Sequence, residues 1–180
     1  YYRVVCSIVT ANSKYVFFIF GIIIIVLYLA NYDRHLHFAK DKYLYKYLSS
    51  LPKDITVAGH PSQMDFIPLF AKRKILVYKE IDPFIGPDFW PKYKERTYDV
   101  FRALYGHSSD EFIKFCKKYK DEDIYFVIDR YYFTHQYFDA DRIYFEPFDT
   151  FIRKLTYEGN FFFANLSDDK KVFTSDDVFV

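Results

Sequence analysis

Glycine is scarce in this chain, five in 180 residues. None falls in a G-x-G-x-x-G, a P-loop or a G-x-S-x-G elbow, and H-E-x-x-H is missing as well. The commonest nucleotide-binding and hydrolase signatures are therefore absent, and phosphate-cradling loops are not expected. Cysteine is equally sparse. Cys6 lies in the apolar N-terminal portion and Cys116 on the apolar side of a predicted helix. Two such residues supply neither a metal spacing nor a disulfide framework, so both are expected to be free buried thiols. No metal and no cofactor is expected. Charge of one sign is lacking too: the net charge is +1, with lysine interspersed among aspartate and glutamate. No basic stripe points to nucleic acid and no acidic tail to a basic partner. Tyrosine and phenylalanine are abundant instead, a usage that nucleotide bias in the genome explains without any aromatic binding surface.

One feature stands out against these absences. Residues 15–32 read YVFFIFGIIIIVLYLANY, without a charge. Eighteen helical residues reach about 27 Å, against about 30 Å for the hydrocarbon core of a bilayer. Ala30-Asn31-Tyr32 makes a poor signal-peptide cleavage site. A buried core helix would have to accommodate Ile22–Ile25 with no polar face. A transmembrane helix is the expectation, with Tyr15, Tyr28 and Tyr32 suited to the interface. The start, Tyr1-Tyr2-Arg3 followed by VVCSIVT, reads as the end of an earlier apolar segment. The chain is thus expected to be a fragment, carrying the last span or spans of a larger membrane protein and its terminal domain.

The organisation expected from the pattern is a membrane segment at 1–32, a juxtamembrane helix at 33–51, a soluble domain at 52–166 and a loosely ordered tail at 167–180. Tyr43, Leu44, Tyr47 and Leu48 recur at helical spacing before Pro52. The tandem His35 and His37, two apart, would not share a helix face and read as solvated. Ile55–Ala58 is a strand closed by Gly59. A short helix follows over 62–71 with Ser62 as its N-cap, and then a second strand over 74–78. Such a βαβ unit pairs its strands in parallel. Pro83, Gly86, Pro87 and Pro91 mark a loop. A helix over 92–105 turns Tyr93, Thr97, Val100, Phe101 and Leu104 to one side and stops at Gly106. Ser108 and Glu111 form a capping box for the next helix. That helix aims Phe112, Phe115, Cys116 and Tyr119 at the core.

Ile124–Ile128 is the most apolar strand and should be central. Residues 131–141 read as a loop or short helix, 143–145 as a short strand, 149–155 as a helical turn and 160–165 as a last strand. The expected fold class is α/β: an N-terminal transmembrane helix, then a small three-layer, Rossmann-like domain with a mostly parallel sheet.

Ligands in open parallel sheets bind beyond the carboxyl ends of the strands. Those ends carry His60 and Asp65, then Lys79 and Glu80, then Asp129 and Arg130. His60, Asp65, Asp129 and Arg130 are the candidate ligand-binding residues. A histidine with an aspartate five residues on would serve as a base and its orienting partner. Against this, loops after strands are polar in any case, Asp129-Arg130 can pair or cap, and no residue is assigned as catalytic. Asn165-Leu166-Ser167 matches the glycosylation acceptor pattern, which chance often produces.

The landmarks LPKDITVAGHPSQMDFIPLFAKRKILVYKE, FWPKYKERTYDVFRALYG, DRYYF and IYFEPFDTFIRKL, spread over about residues 30–155, are together similar to the C-terminal soluble region of bacterial multispanning proteins related to GT-C type, lipid-linked-sugar glycosyltransferases. The resemblance implies an integral protein of the bacterial inner or plasma membrane, with its soluble domain extracytoplasmic. The lysines that follow the apolar run lean the other way under the positive-inside rule; loops before Tyr1 would set the topology, and the resemblance is preferred. It implies partners in the lipid bilayer, the N-terminal membrane domain of the same protein, and a lipid-linked sugar or acceptor. Catalytic carboxylates in such enzymes lie between early spans, so none transfers to a position here. Two other readings stay open: a single-pass anchored binding module, and an anchored hydrolase or transferase using His60 and Asp65.

Overall fold

The structure is a computed structural model that describes residues 19–27, 41–80, 86–157, 159–166, 171–175 and 178–180. The chain divides into two units, Tyr1–Lys42 and Tyr43–Val180. In the first, residues 19–27 are helical and, Gly21 apart, exposed. Nine helical residues reach only about 13.5 Å, and among the described residues no helix is long and apolar enough to cross a membrane. The rest of the expected span at 15–32 lies outside the described residues. So do Cys6, His35, His37, residues 33–40, residues 81–85 and the tail aspartates Asp168, Asp169, Asp176 and Asp177.

Helix α1, Lys42–Ser50, all but its first residue in the second unit, buries Leu44, Tyr45 and Leu48. The buried stripe is centred one residue off the expected one, leaving Tyr43 exposed and Tyr47 half-buried. The Ser49 and Ser50 hydroxyls fold back onto the carbonyls of Lys46 and Tyr47, at 2.8 and 2.6 Å. Strand β1 (Thr56–Gly59) is followed by two short helices, α2 (Pro61–Met64) and α3 (Ile67–Phe70), and by β2 (Lys74–Ile75). Helix α4 spans Phe89–Tyr105 and α5 Ser109–Lys118. All five residues expected on the inner side of α4 are buried, and each large apolar one contributes about 1.5–3 kcal/mol by leaving water. Ser108 caps α5 as expected, although its hydroxyl accepts from the Asp110 amide at 3.2 Å. Only Phe115 of α5 is fully buried, and Cys116 is exposed, which corrects the reading of it as a core thiol.

Strand β3, Ile124–Asp129, leads into a 3-10 turn at Arg130–Phe133, the short helix α6 (His135–Phe138) and α7 (Phe148–Thr156). A second 3-10 turn occupies Phe163–Asn165, and β4 (Thr174–Ser175) and β5 (Val178–Phe179) complete the sheet. The strand order is β2-β1-β3-β5-β4, with β3 in the middle. Pairing is parallel for β1 with β2 and for β1 with β3, and antiparallel for β3 with β5 and β5 with β4. The fold is α/β with a mixed sheet, and the mostly parallel, Rossmann-like sheet is not what forms. The cause lies in the tail: residues expected to be loosely ordered add β4 and β5, and Val178 and Phe179 are both buried.

Alternate residues on a strand face opposite sides of a sheet, and that splits the core in two. Val57, Val127 and Val178 pack with Leu44, Leu48, Met64 and Ile67. Ala58, Phe126, Ile128 and Phe179 pack with the residues of α4, α5 and α7. Two expected strands do not form. At 143–145 the amides of Ile143 and Tyr144 donate to Asp149 Oδ1, at 2.7 and 3.0 Å, and so bind the start of α7 in place of a neighbouring strand. At 160–165 the rings decide: Phe163 lies flat against Phe126, with centroids 5.5 Å apart, and the backbone coils to hold it there.

Candidate functional site

The C-terminal ends of β1 and β3 meet at His60. Gly59 before it is required by close approach, since a Cβ there would stand 2.5 Å from the Val127 carbonyl oxygen and 2.8 Å from Met64 Cε. Pro61 after it sits at the first helical position, where a missing N–H costs nothing. His60 is itself the N-cap of α2: its Nδ1 accepts from the Ser62 amide at 3.2 Å. Ser62, expected in that role, falls inside the first turn. An imidazole can cap because its unprotonated nitrogen accepts much as a hydroxyl oxygen does.

The other side of the ring is closed by tyrosines. Tyr132, from the turn after β3, stacks on it at 3.8 Å and 12°. The Tyr137 hydroxyl is 2.6 Å from Nε2, and its ring meets the imidazole edge-on. Tyr144 and Phe101 complete the enclosure at 6.1 and 5.6 Å. His60 is 1% exposed. Because Nδ1 accepts from an amide that can only donate, the proton of the neutral ring sits on Nε2 and is donated to Tyr137. Burial first, and the nearby Lys79 charge second, push the imidazole pKa from 6.5 down to about 3. The ring is neutral, and both nitrogens are spent.

Asp65 does not orient His60. Its Oδ1 accepts from the amides of Lys79 and Glu80, at 2.7 and 3.4 Å, and so fixes the chain as it leaves β2. Burial raises its pKa, and those two amides oppose the rise. Asp129 accepts from the Tyr131 amide at 2.8 Å, capping the turn that carries Tyr132. Arg130 is exposed. Three of the four candidates, His60, Asp65 and Asp129, thus accept from backbone amides, each from a different residue. Beside them, the Tyr93 hydroxyl donates to the Tyr78 carbonyl at 2.5 Å and lies 3.3 Å from the Tyr144 hydroxyl. Burial raises the pKa of Tyr93, Tyr137 and Tyr144, so all three stay protonated. Of this ring of tyrosines only Tyr93 was marked by its helical spacing. Tyr132 and Tyr137 lie in a stretch without periodicity and gave no signal.

Among the described residues no three His, Cys, Asp or Glu side chains come together to hold a metal ion. Elsewhere, an apolar cleft of about 350 Å³ opens between β3, the second 3-10 turn and the C-terminal strands, lined by Phe112, Phe126, Ile128, Phe163, Leu166 and Phe179 among others. Comparison with protein-family models, with curated proteins and with solved structures finds no match.

Proposed function

We propose that this chain is a membrane-attached accessory part of a multispanning, glycosyltransferase-like protein, whose extracytoplasmic α/β domain braces the membrane core or positions an acceptor and carries out no chemistry itself. One observation supports the non-catalytic half of this reading above all. The histidine at the strand ends, where a reactive group would stand, is buried with both nitrogens engaged, and using it as a base would break a helix cap. The membrane half rests on the apolar run at 15–32 and on the sequence resemblance.

The test uses the full chain expressed in bacterial membranes. Resistance to carbonate extraction is expected, together with protease access to the domain from the outer side only. No release of sugar from a lipid-linked donor should occur. Turnover that disappears in His60→Asn or Asp65→Asn would instead establish an enzyme, and release by carbonate would remove the integral attachment. The apolar cleft favours a second reading, an anchored binding module for an apolar ligand. Saturable uptake of such a ligand by the detergent-solubilised chain is the outcome that would favour it.

A further inference from the structure

The sheet uses one edge of β3 only in part. The Thr56 amide donates to the Asp123 carbonyl at 2.9 Å, and Thr56 to Gly59 run in parallel register with Ile124 to Val127. Along a paired strand successive residues turn their N–H and C=O to opposite edges. Asp123, Tyr125 and Val127 therefore face β1, and Ile124, Phe126 and Ile128 face the other way. On that side Ile128 meets Phe179 of β5. The same antiparallel register sets Val180 opposite Val127, and Val180 turns away from β3: its amide donates to the Phe173 carbonyl at 3.0 Å and its carbonyl accepts from the Val172 amide at 2.8 Å. Ile124 and Phe126 are left with backbone groups that no strand among the described residues meets. The apolar cleft of about 350 Å³ runs along this stretch, lined by Ile124, Phe126 and Val180, by Phe112 of α5, and by Phe163 and Leu166 of the second 3-10 turn.

We propose that the cleft receives an extended segment of a partner protein, apolar at alternate residues, which adds to β3 at Ile124 and Phe126, antiparallel and in the line of β5. An unpaired strand edge supplies the backbone hydrogen bonds of such an addition, and apolar walls beside it receive alternate side chains. A small apolar molecule would fill the walls and leave the backbone groups of Ile124 and Phe126 unmet, which costs free energy once water is shut out. A second copy pairing through its own β3 is a poorer fit, because its edge is walled by the same Phe112 and Phe163 side chains. The inference goes beyond the bracing role and does not depend on membrane attachment.

The test follows amide hydrogen exchange by NMR in the full chain, solubilised in detergent, with and without the synthetic peptide Lys-Lys-Thr-Val-Thr-Phe-Thr-Val-Thr-Lys-Lys. In an antiparallel pair, residues that exchange hydrogen bonds share a face, so the control peptide is N-methylated at its two valines and its phenylalanine. Without peptide, the amides of Ile124 and Phe126 should exchange about tenfold faster, or more, than those of Tyr125 and Val127. Saturating peptide should slow Ile124 and Phe126 by a similar factor and leave Tyr125 and Val127 unchanged, and the N-methylated peptide should not. Val172, which also lines the cleft, is 66% exposed, so Val172→Glu leaves the core intact and should weaken peptide binding several-fold. Protection of Ile124 and Phe126 before peptide is added overturns the proposal, since this chain or a second copy then covers the edge. Equal binding of the N-methylated peptide overturns strand addition and leaves an apolar cleft alone. No slowing at saturating peptide, or binding unchanged in Val172→Glu, overturns the proposal as well.

Discussion

Replacing His60 by phenylalanine separates a structural imidazole from a reactive one. The substitution keeps an aromatic ring against Tyr132 and removes both polar contacts. Loss of an N-cap costs about 1 kcal/mol. Leaving the buried Tyr137 hydroxyl without its partner costs about 1–3 kcal/mol. Near neutral pH, His60→Phe should therefore be less stable than the parent chain by about 3 kcal/mol. The penalty must shrink with acid. In the folded chain the imidazole pKa is held at about 3, against 6.5 when exposed. Between those values the unfolded chain binds the extra proton, so folding stability conferred by neutral His60 is present above pH 6.5 and is lost as pH falls toward 3. From about pH 7.5 to about pH 5 the loss is 1.5 pKa units, or about 2 kcal/mol, before most carboxylates titrate.

His60→Phe has no such proton to bind. Urea unfolding of both proteins in mild detergent, followed by circular dichroism at the two pH values, should find the gap between them falling from about 3 to about 1 kcal/mol. A gap that stays constant, or widens in acid, would refute the claim that His60 is buried neutral. It would also reopen the possibility of an imidazole that reaches solvent. Pairing the change with Tyr137→Phe adds a control: when both members of a buried polar pair become apolar, the double variant should recover part of the loss.

Gly59→Ala should destabilise by about 1–3 kcal/mol, because its Cβ would press on the backbone carbonyl of Val127 and no rotamer can relieve that; thermal unfolding checks it. Arg73→Met removes the guanidinium that ties the end of α1 to the β1–β2 connection, and should cost about 3 kcal/mol. Hydrogen exchange should then quicken at 44–50 well before 97–104. At Asp149, burial works to raise the pKa but is outweighed by the Arg153 guanidinium and the amides of Tyr144 and Ile143, so its carboxyl sits below the usual range. A depressed carboxylate stabilises above its unfolded pKa of 3.8 and ceases to as pH falls through the folded value. Asp149→Ala should accordingly destabilise by about 1–2 kcal/mol near neutral pH and by less near pH 3, as read by urea titration.

Much of this fold was legible wherever burial imposes a period. The inner side of α4, from Tyr93 to Leu104, repeats every three to four residues, and every residue named from that repeat is buried. Strand β3 betrayed its central place by being apolar at every position of its middle. Where burial is shared among aromatic residues without a repeat, the reading failed. Phe161 to Phe163 could equally be strand or turn, and the choice was made by a ring 5.5 Å away on β3 that is far off in sequence. The tail had no period to show because each of its strands has only two residues, and they are held in the sheet by β3 and by each other.

The candidate site was half legible for a related reason. Strand ends in parallel sheets gather polar residues, and His60, Asp65 and Asp129 were found by that rule alone. The rule is silent on whether such groups point at a ligand or at the backbone, because a helix cap and a catalytic base are the same residue types at the same chain positions. What decides between them is the third dimension: two ring nitrogens already engaged, a tyrosine stacked at 3.8 Å, and a carboxylate aimed at amides downstream of β2. Here His60, Asp65 and Asp129 each serve the chain itself, while Arg130 stands exposed. An edge whose caps are made within the chain holds its geometry without a ligand, and that is what the proposed bracing role asks of it.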